Sequence, residues 1–219
     1  MFNYYNNETI RKLVIAFGSL FNSISIKQIN KDGSLRTNTV PLTYAPKEKF
    51  VKRITQLSSI SDATRVQFTI PQMSFELTGM AYDGTRKFNK LIKKQETNNT
   101  GVTYSYAEVP YNFAFNLYAY TRNIEENLQI MEQILPQFSP EFIVTINFNN
   151  LYQKIDVPIF LNTTALTEEY EGDFSTRRAI ISSYQFIAKS YVYGEIKSSP
   201  DIRGITLSLD TFFSTGITA

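Results

Sequence analysis

The sequence predicts an α+β fold, a mostly antiparallel sheet flanked by about three helices. Segments in which apolar and polar residues alternate, as in strands with one buried face, make up much of the chain. Three segments with apolar residues at helical spacing interrupt them, without the regular strand–helix alternation of a parallel sheet. For 219 residues we expect a single domain over residues 1–219, with an extended arm or long hairpin around residues 79–101.

The first helix is predicted over residues 7–22, where Asn6 or Asn7 can cap its start by accepting a backbone N–H. Gly18 weakens this helix by about 1 kcal/mol relative to alanine, unless it allows another element to approach closely. The apolar face comprises Ile10, Leu13, Val14, Phe17, Leu20 and Phe21.

A hairpin and a second helix are predicted next. Residues 24–27 alternate in polarity, Asp32-Gly33 supplies the positive φ of a tight turn, and the return strand spans residues 35–42. Pro46 suits the first turn of the second helix, where its missing N–H is not needed. The apolar stripe of that helix comprises Phe50, Val51, Ile54 and Leu57.

A long strand is predicted near residues 66–77, and its apolar phase shifts at Pro71-Gln72. Because proline cannot donate to a sheet ladder, a bulge or an edge position is expected there. Residues 79–101 follow no regular period, which is why they are predicted to form the arm. Later strands are centred on residues 111–117, 142–148, 155–161, 184–188 and 205–209.

The third helix is predicted to begin at Asn123, which can act as its N-cap, with Glu126 three residues on in capping-box spacing. Pro136 ends this helix because it cannot continue the backbone hydrogen-bond ladder. Its predicted apolar face comprises Ile124, Leu128, Met131 and Leu135.

Composition excludes several kinds of chemistry. The chain has no cysteine and no histidine, so Cys–His and Ser-His-Asp catalysis, disulfides and cysteine zinc sites cannot be built from it. Two-carboxylate chemistry, or a lysine or tyrosine base, stays possible, but no cofactor or metal site is predicted. The net charge of +2 gives no strong field for nucleic acid. The N-terminus has no signal-peptide pattern and the apolar stretches are short, which predicts a soluble intracellular protein without a membrane partner.

The densest acidic cluster is predicted to be a solvated loop over residues 167–173. Its members are Glu168, Glu169, Glu171 and Asp173. They lack the spacing of a calcium loop, and closeness in sequence does not place two carboxylates in a cleft. Pairing with Arg177 and Arg178 is the simpler interpretation.

A basic run occupies the predicted arm. Its members are Arg86, Lys87, Lys90, Lys93 and Lys94. Phe88, Leu91 and Ile92 lie among these charges at helical spacing, a combination that can bind single-stranded nucleic acid. The run is short, and neighbouring asparagines and threonines dilute it, so an arm that contacts another protein is favoured.

Tyrosines at alternate strand positions are predicted to face outward at Tyr118, Tyr120, Tyr191 and Tyr193. Tyrosine suits interfaces because it covers a large area and loses little side-chain entropy. The residues predicted to contact other proteins are Arg86, Lys87, Lys90, Lys93, Lys94, Arg177, Arg178, Tyr191 and Tyr193.

Several short sequence pieces, in a fixed order along nearly the whole chain, resemble a known family. They are residues 1–5, Arg11-Lys12, Leu20-Phe21, residues 40–50, residues 70–73, residues 120–122, residues 132–136, Gly172-Asp173 and Arg177-Arg178. This ordered series resembles the tail sheath stabilizer and completion proteins of Tevenvirinae-type contractile-tailed phages.

The resemblance implies a fold, an assembly and a structural, non-enzymatic role. The fold would be that of phage tail terminators, a sheet flanked by helices with a protruding hairpin. The assembly would be a hexameric ring on the head-proximal end of the tail, in the virion and, during assembly, in the host cytoplasm. Implied partners are the tail sheath protein, the tail tube or tube terminator protein and the neck proteins, with DNA passing through the lumen without specific binding.

Three alternatives remain open from the sequence. The chain could be another tail or neck component, such as a tube terminator. It could be a DNA-binding protein that uses the basic run. It could also be a carboxylate-based hydrolase that uses Glu168, Glu169 or Asp173, the least favoured of the three.

Overall fold

The computed structural model of the chain describes residues 4–29, 33–49, 70–98, 101–148, 154–169 and 179–199. Its α-helices include α1 (Thr9–Leu20) and α2 (Ile124–Ile134), and short 3₁₀ turns lie at Gly84–Arg86 and Leu135–Gln137. The strands are β1 (Ser25–Ile29), β2 (Leu35–Thr39), β3 (Leu42–Tyr44), β4 (Gln72–Tyr82), β5 (Lys93–Asn98), β6 (Gly101–Tyr106), β7 (Val109–Thr121), β8 (Glu141–Asn147), β9 (Lys154–Glu169), β10 (Ala179–Val192) and β11 (Lys197–Ser199).

Six strands form the main sheet in the order β3-β4-β7-β10-β9-β8. Every described pairing in it is antiparallel except that of β3 with β4. The hairpin β1–β2 is separate, and β11, β6 and β5 form a small third sheet. Mostly antiparallel strands with packed helices confirm the predicted α+β class.

Two strand predictions need correction. The return strand predicted over residues 35–42 is divided into β2 and β3, and β3 pairs in parallel with β4. Pro41 lies at the division, has no N–H for a ladder, and uses its carbonyl to accept the Met73 N–H at 2.8 Å. β4 begins directly after Pro71, and its register shift lies further along, around Thr78.

Several predicted elements lie outside the described residues. They are most of the second helix, with Phe50, Val51, Ile54 and Leu57, the start of the strand near residue 66, and the strand near residues 205–209. Residues 47–49 are helical, directly after Pro46.

The main core lies between α1 and one face of the sheet. Phe17 of α1 is fully buried. Its ring stacks on Phe115 of β7, with 4.3 Å between centroids, and meets Phe186 of β10 edge-on at 5.3 Å. Phe75 and Phe21 contact the same ring at 5.6 and 5.2 Å. Strand alternation along β7 and β10 therefore converges on one helical residue.

Gly18 allows a close approach between α1 and the sheet. A Cβ atom there would lie 2.7 Å from Cζ of Phe75, whose ring is held between Phe17 and Tyr44. We expect Gly18→Ala to destabilise the protein by about 1 kcal/mol, because overpacking costs about 1–3 kcal/mol and helix propensity returns about 1 kcal/mol. Urea unfolding measures this, with the exposed Ser19→Ala as control. A more stable Gly18→Ala variant would contradict the close contact.

The second helix of the described chain, α2, buries a different face from the predicted one. Ile130 and Ile134 are buried, and of the predicted face only Met131 packs against the core, whereas Ile124, Leu128 and Leu135 are exposed. Its capping differs too, because the side chain of Asn123 makes no cap hydrogen bond. The buried Glu126 accepts a hydrogen bond from Gln28 Nε2 at 2.7 Å instead of closing a capping box. The helix is thus oriented by the β1–β2 hairpin.

Two glutamines of α2 cover the outer edge of β1. Gln129 accepts the Lys27 N–H at 2.8 Å and donates to the Lys27 carbonyl at 3.2 Å. Gln133 accepts the Ser25 N–H at 3.3 Å and donates to the Ser25 carbonyl at 2.7 Å. Their spacing of one helical turn matches alternate residues of the strand, so their amides take the place of a neighbouring strand.

We expect Gln129→Ala/Gln133→Ala to lower the free energy of unfolding by about 1–2 kcal/mol, because four exposed hydrogen bonds are lost. The uncovered edge of β1 should also raise self-association. Urea unfolding and light scattering measure the two effects, and the exposed Gln137→Ala is the matched control. Equal behaviour of both variants would show that the amides do not stabilise the edge.

The opposite face of the sheet corrects the predicted orientation of two tyrosines. Tyr118 and Tyr120 are buried with Ala45 and Ile181. The chain after β3 crosses this face, because the hydroxyl of Tyr120 donates to the carbonyl of Lys47 at 3.4 Å. Burial raises the pKa of the Tyr118 hydroxyl above its ordinary value. These tyrosines are core residues of a second, smaller cluster.

Candidate interaction surfaces

The predicted arm is more regular than its sequence indicates. Residues 79–82 continue β4, and residues 93–106 contain the antiparallel hairpin β5–β6, to which β11 adds a third strand. Between β4 and β5 lie the 3₁₀ turn Gly84–Arg86 and a connecting turn, residues 87–92, which we call the arm turn. Although Phe88, Leu91 and Ile92 stand at helical spacing, the connecting turn contains no α-helix.

Arg86 fixes the base of the arm. Its Nε donates to Asp83 Oδ2 at 2.8 Å, and one Nη donates to Asn112 Oδ1 at 3.0 Å and to the Tyr111 carbonyl at 3.3 Å. The guanidinium carbon lies 5.1 Å from the centre of the Tyr191 ring. These contacts join the arm to β7 and β10, so Arg86 has a local structural role.

Asp83 helps to hold Arg86 in place. Its Oδ1 accepts hydrogen bonds from the backbone N–H of Thr85 at 3.0 Å and from the Thr85 hydroxyl at 2.6 Å. The Thr85 hydroxyl, followed by the bond and charge of Arg86, lowers the pKa of Asp83 well below its ordinary value. The carboxylate therefore stays ionised beside Arg86 in more acidic solution than an ordinary aspartate would.

The arm turn presents apolar side chains to solvent. Leu91 is 82% exposed, and Phe88 and Ile92 are also exposed. The side chain of Asn89 accepts the Leu91 N–H at 3.0 Å, and the Ile92 carbonyl accepts the Ala107 N–H at 2.9 Å. The turn is therefore held in one conformation while its apolar residues face outward, which is typical of interaction surfaces.

The arm turn also carries two exposed lysines. Lys87 and Lys90 are exposed and form no ion pair within the described chain. Together with Tyr82, Phe88 and Val109 they line a groove of about 420 Å³. This end of the molecule is both apolar and positively charged.

The other lysines of the basic run have partners in the same chain. Lys94 Nζ lies 2.6 Å from Glu108 Oε1, and Lys93 Nζ lies over the rings of Tyr104 and Tyr106 at 5.1 and 5.4 Å. Part of the positive charge that suggested nucleic-acid binding is thus compensated locally.

A second exposed apolar surface runs along α2 into the 3₁₀ turn that follows it, although its apolar residues were predicted to be core. It consists of Ile124, Leu128 and Leu135, which are 39–47% exposed. Glu125 and Glu132 are exposed beside them, and α2 contains no lysine or arginine. We call these five residues the α2 stripe. It is apolar and negatively charged.

A groove adjoins the C-terminal end of the α2 stripe. Its volume is about 560 Å³, and it separates the end of α1 from the end of α2. Phe21, Glu132, Pro136, Phe138 and Phe142 are among its lining residues. Such a groove can accept an apolar side chain from a partner.

The two surfaces lie at opposite ends of β7. The carbonyl of the arm-turn residue Ile92 accepts the N–H of Ala107, just before β7 begins at Val109. At the other end, Asn127 of α2 donates to the hydroxyl of Thr121, the last residue of β7, at 3.3 Å. A strand of 13 residues spans about 40 Å. The surfaces therefore cannot contact each other within one molecule.

Two other predicted interface residues, Tyr191 and Tyr193, are partly or wholly buried. Tyr193 is 1% exposed and packs on Phe148 at 5.5 Å, so its predicted outward orientation is wrong. The carbonyl of Tyr193 also accepts a hydrogen bond from Asn7, which ties the N-terminal segment over this residue. Tyr191 is half-buried against Arg86 and Phe88.

The acidic cluster is partly strand instead of loop. β9 extends to Glu169, and Glu168 and Glu169 pair with Ile180 and Ala179 of β10. Glu171, Asp173, Arg177 and Arg178 lie outside the described residues.

In the described part of the chain, no group of three or more acidic side chains is placed to hold a metal ion. None of its helices combines the length and apolarity needed to cross a bilayer.

Comparison with known proteins shows the family of this chain. Residues 4–215 match the model of the T4-like virus Myoviridae tail sheath stabiliser family. The chain is 32% identical over 200 residues to the tail completion protein gp15 of Enterobacteria phage T4, covering 88% of this chain and 73% of that protein. Since the family model spans nearly the whole chain, this protein belongs to the T4-like Myoviridae tail sheath stabiliser family.

Proposed function

We propose that this protein forms a ring of six copies that caps the head-proximal end of a contractile phage tail. The ring holds the sheath in its extended state and presents a surface to the neck proteins, while DNA passes through its lumen without specific binding. It assembles in the host cytoplasm and remains in the virion. Family membership over residues 4–215 carries this proposal.

The distribution of exposed groups supports a binding role in place of a catalytic one. A capping ring requires complementary surfaces, and the arm turn and the α2 stripe offer apolar side chains bordered by charge at two separate ends. A chain without cysteine or histidine suits such a role, since shape and contact area replace reactive groups.

The mechanism is a shift in the equilibrium between extended and contracted sheath. A ring that binds the extended form more tightly stabilises it by the difference in binding free energy between the two forms, and by no more. In a ring of six copies, modest differences in binding free energy per copy add together. The ring therefore needs no energy source to keep the sheath extended.

The proposal is tested with phage in which the gene for this protein is inactivated. Electron microscopy of the lysate should show tails whose sheath is contracted or lost and heads that carry no tail, and a plasmid copy of the gene should restore complete particles. Long extended tails joined to heads in the absence of the protein would refute the proposal. A gold label on the protein should appear at the head-proximal tip, which distinguishes it from a baseplate component.

A further inference from the structure

We propose that the arm turn of one copy docks onto the α2 stripe of the next copy, and that this contact joins the ring. The inference rests on the proposed function and names the two surfaces that the ring would use. Both are exposed in the single chain, and both combine apolar side chains with charge.

Charge complementarity favours a second copy as the partner of each surface. The arm turn carries Lys87 and Lys90, and the α2 stripe carries Glu125 and Glu132. None of these four side chains forms an ion pair within the described chain. The two positive charges of the arm turn can pair with the two negative charges of the α2 stripe. This pairing favours the contact between the two different surfaces and opposes a contact between two arm turns or between two α2 stripes.

The apolar parts of the two surfaces can bury each other. Leu91 is the most exposed of the apolar arm-turn side chains and stands on a turn held by Asn89. The apolar residues of the α2 stripe are Ile124, Leu128 and Leu135, and the groove of about 560 Å³ at its end is lined in part by Phe21, Phe138 and Phe142. An exposed leucine of one copy can therefore enter this groove of the next copy.

The position of the surfaces determines the kind of assembly. They differ from each other and lie about 40 Å apart at the two ends of β7. A contact between them is therefore head-to-tail, so each copy uses one surface to bind and leaves the other free for the next copy. Such contacts give a ring when the rotation between successive copies closes, and they continue into a filament when it does not.

Cross-linking tests the contact directly because the natural chain contains no cysteine. Tails completed with the Leu91→Cys/Leu128→Cys variant are treated with a short bismaleimide and separated under denaturing conditions. We expect a ladder of covalently joined copies. The matched control is Leu91→Cys/Ile143→Cys, whose second cysteine lies at a residue of β8 that is exposed at least as much as Leu128, and it should give no ladder.

A ladder that is absent from complete tails, or equally strong in the control, would overturn the inference and leave the proposed function intact. If complete tails form without the protein, the proposed function fails on its own. Cross-linking of the concentrated purified protein then decides the inference, because a ladder specific to the Leu91–Leu128 pair supports it and its absence refutes it.

Charge exchange provides an independent readout. Lys87→Glu/Lys90→Glu should weaken ring formation by about tenfold or more, because like charges would face each other. Adding Glu125→Lys/Glu132→Lys to the same chain should restore it. Failure of the fourfold variant to recover, when thermal unfolding shows that it folds, would count against pairing of these surfaces.

Discussion

Replacing Phe17 with alanine is expected to lower the free energy of unfolding by about 3–5 kcal/mol, the largest loss from a single substitution proposed for this protein. The Phe17 ring is fully buried and contacts Phe21, Phe75, Phe115 and Phe186. Its removal leaves a cavity between α1 and the sheet that rigid neighbouring rings cannot fill. Each ring also loses an aromatic contact worth about 0.5–1.5 kcal/mol.

Thermal unfolding provides the measurement, and the midpoint should fall by about 10 °C for a chain of this size. Ile15→Ala is the matched control, since Ile15 lies on the same helix but is exposed. We expect that control to change stability by less than about 0.5 kcal/mol. Similar midpoints for Phe17→Ala and the control would show that α1 is not the main cover of this sheet face.

Replacing Leu91 with aspartate is expected to reduce tail completion by more than about tenfold without unfolding the protein. Leu91 is 82% exposed, so the substitution should change stability by no more than about 0.5 kcal/mol. In an interface the aspartate would be buried without a partner, close to the acidic α2 stripe of the next copy. Tail completion is counted as head-joined, extended tails in a complementation assay.

Leu35→Asp is the control for this variant. Leu35 is a leucine of β2 that is also largely exposed, but it lies on neither proposed surface. Its variant should complete tails as well as the natural protein does. If Leu91→Asp matched that control, the arm turn would have no part in assembly.

Strand alternation was the most informative sequence signal. Phe113, Phe115 and Leu117 repeat every second residue, and all three are buried on the α1 side of β7. The same rule located β9 and β10, because a strand with one covered face allows only one register of apolar residues. These predictions rest on local geometry and needed no knowledge of the partners.

The orientation of α2 could not be read in this way. Its sequence carries two apolar rows, one with Ile130 and Ile134 and one with Ile124 and Leu128, and each is compatible with a helix period. The pairing of Gln129 and Gln133 with β1 decides which row is buried. The residues are more than 100 positions apart along the chain, so no local pattern reports this contact.

The burial of the tyrosines could not be predicted from local patterns either. Alternation along a strand predicts that one face is exposed to solvent. The chain after β3, however, covers Tyr118 and Tyr120, and Phe148 covers Tyr193. Antiparallel sheets can be covered on one face or on both, and the choice depends on where connecting segments pass. The apolar row of α2 illustrates the reverse case, a predicted core face that is left exposed.

By itself the sequence determined the α+β class, the positions of the long strands, the absence of cysteine and histidine chemistry, and the family. Each of these depends on residue type and local spacing. Only the tertiary structure decided which apolar residues became core and which became surface, because burial depends on contacts between segments far apart in the chain. Of the two surfaces proposed to join the ring, the arm turn lies within the basic run that the sequence had indicated as a contact region, and the α2 stripe emerged only from the fold.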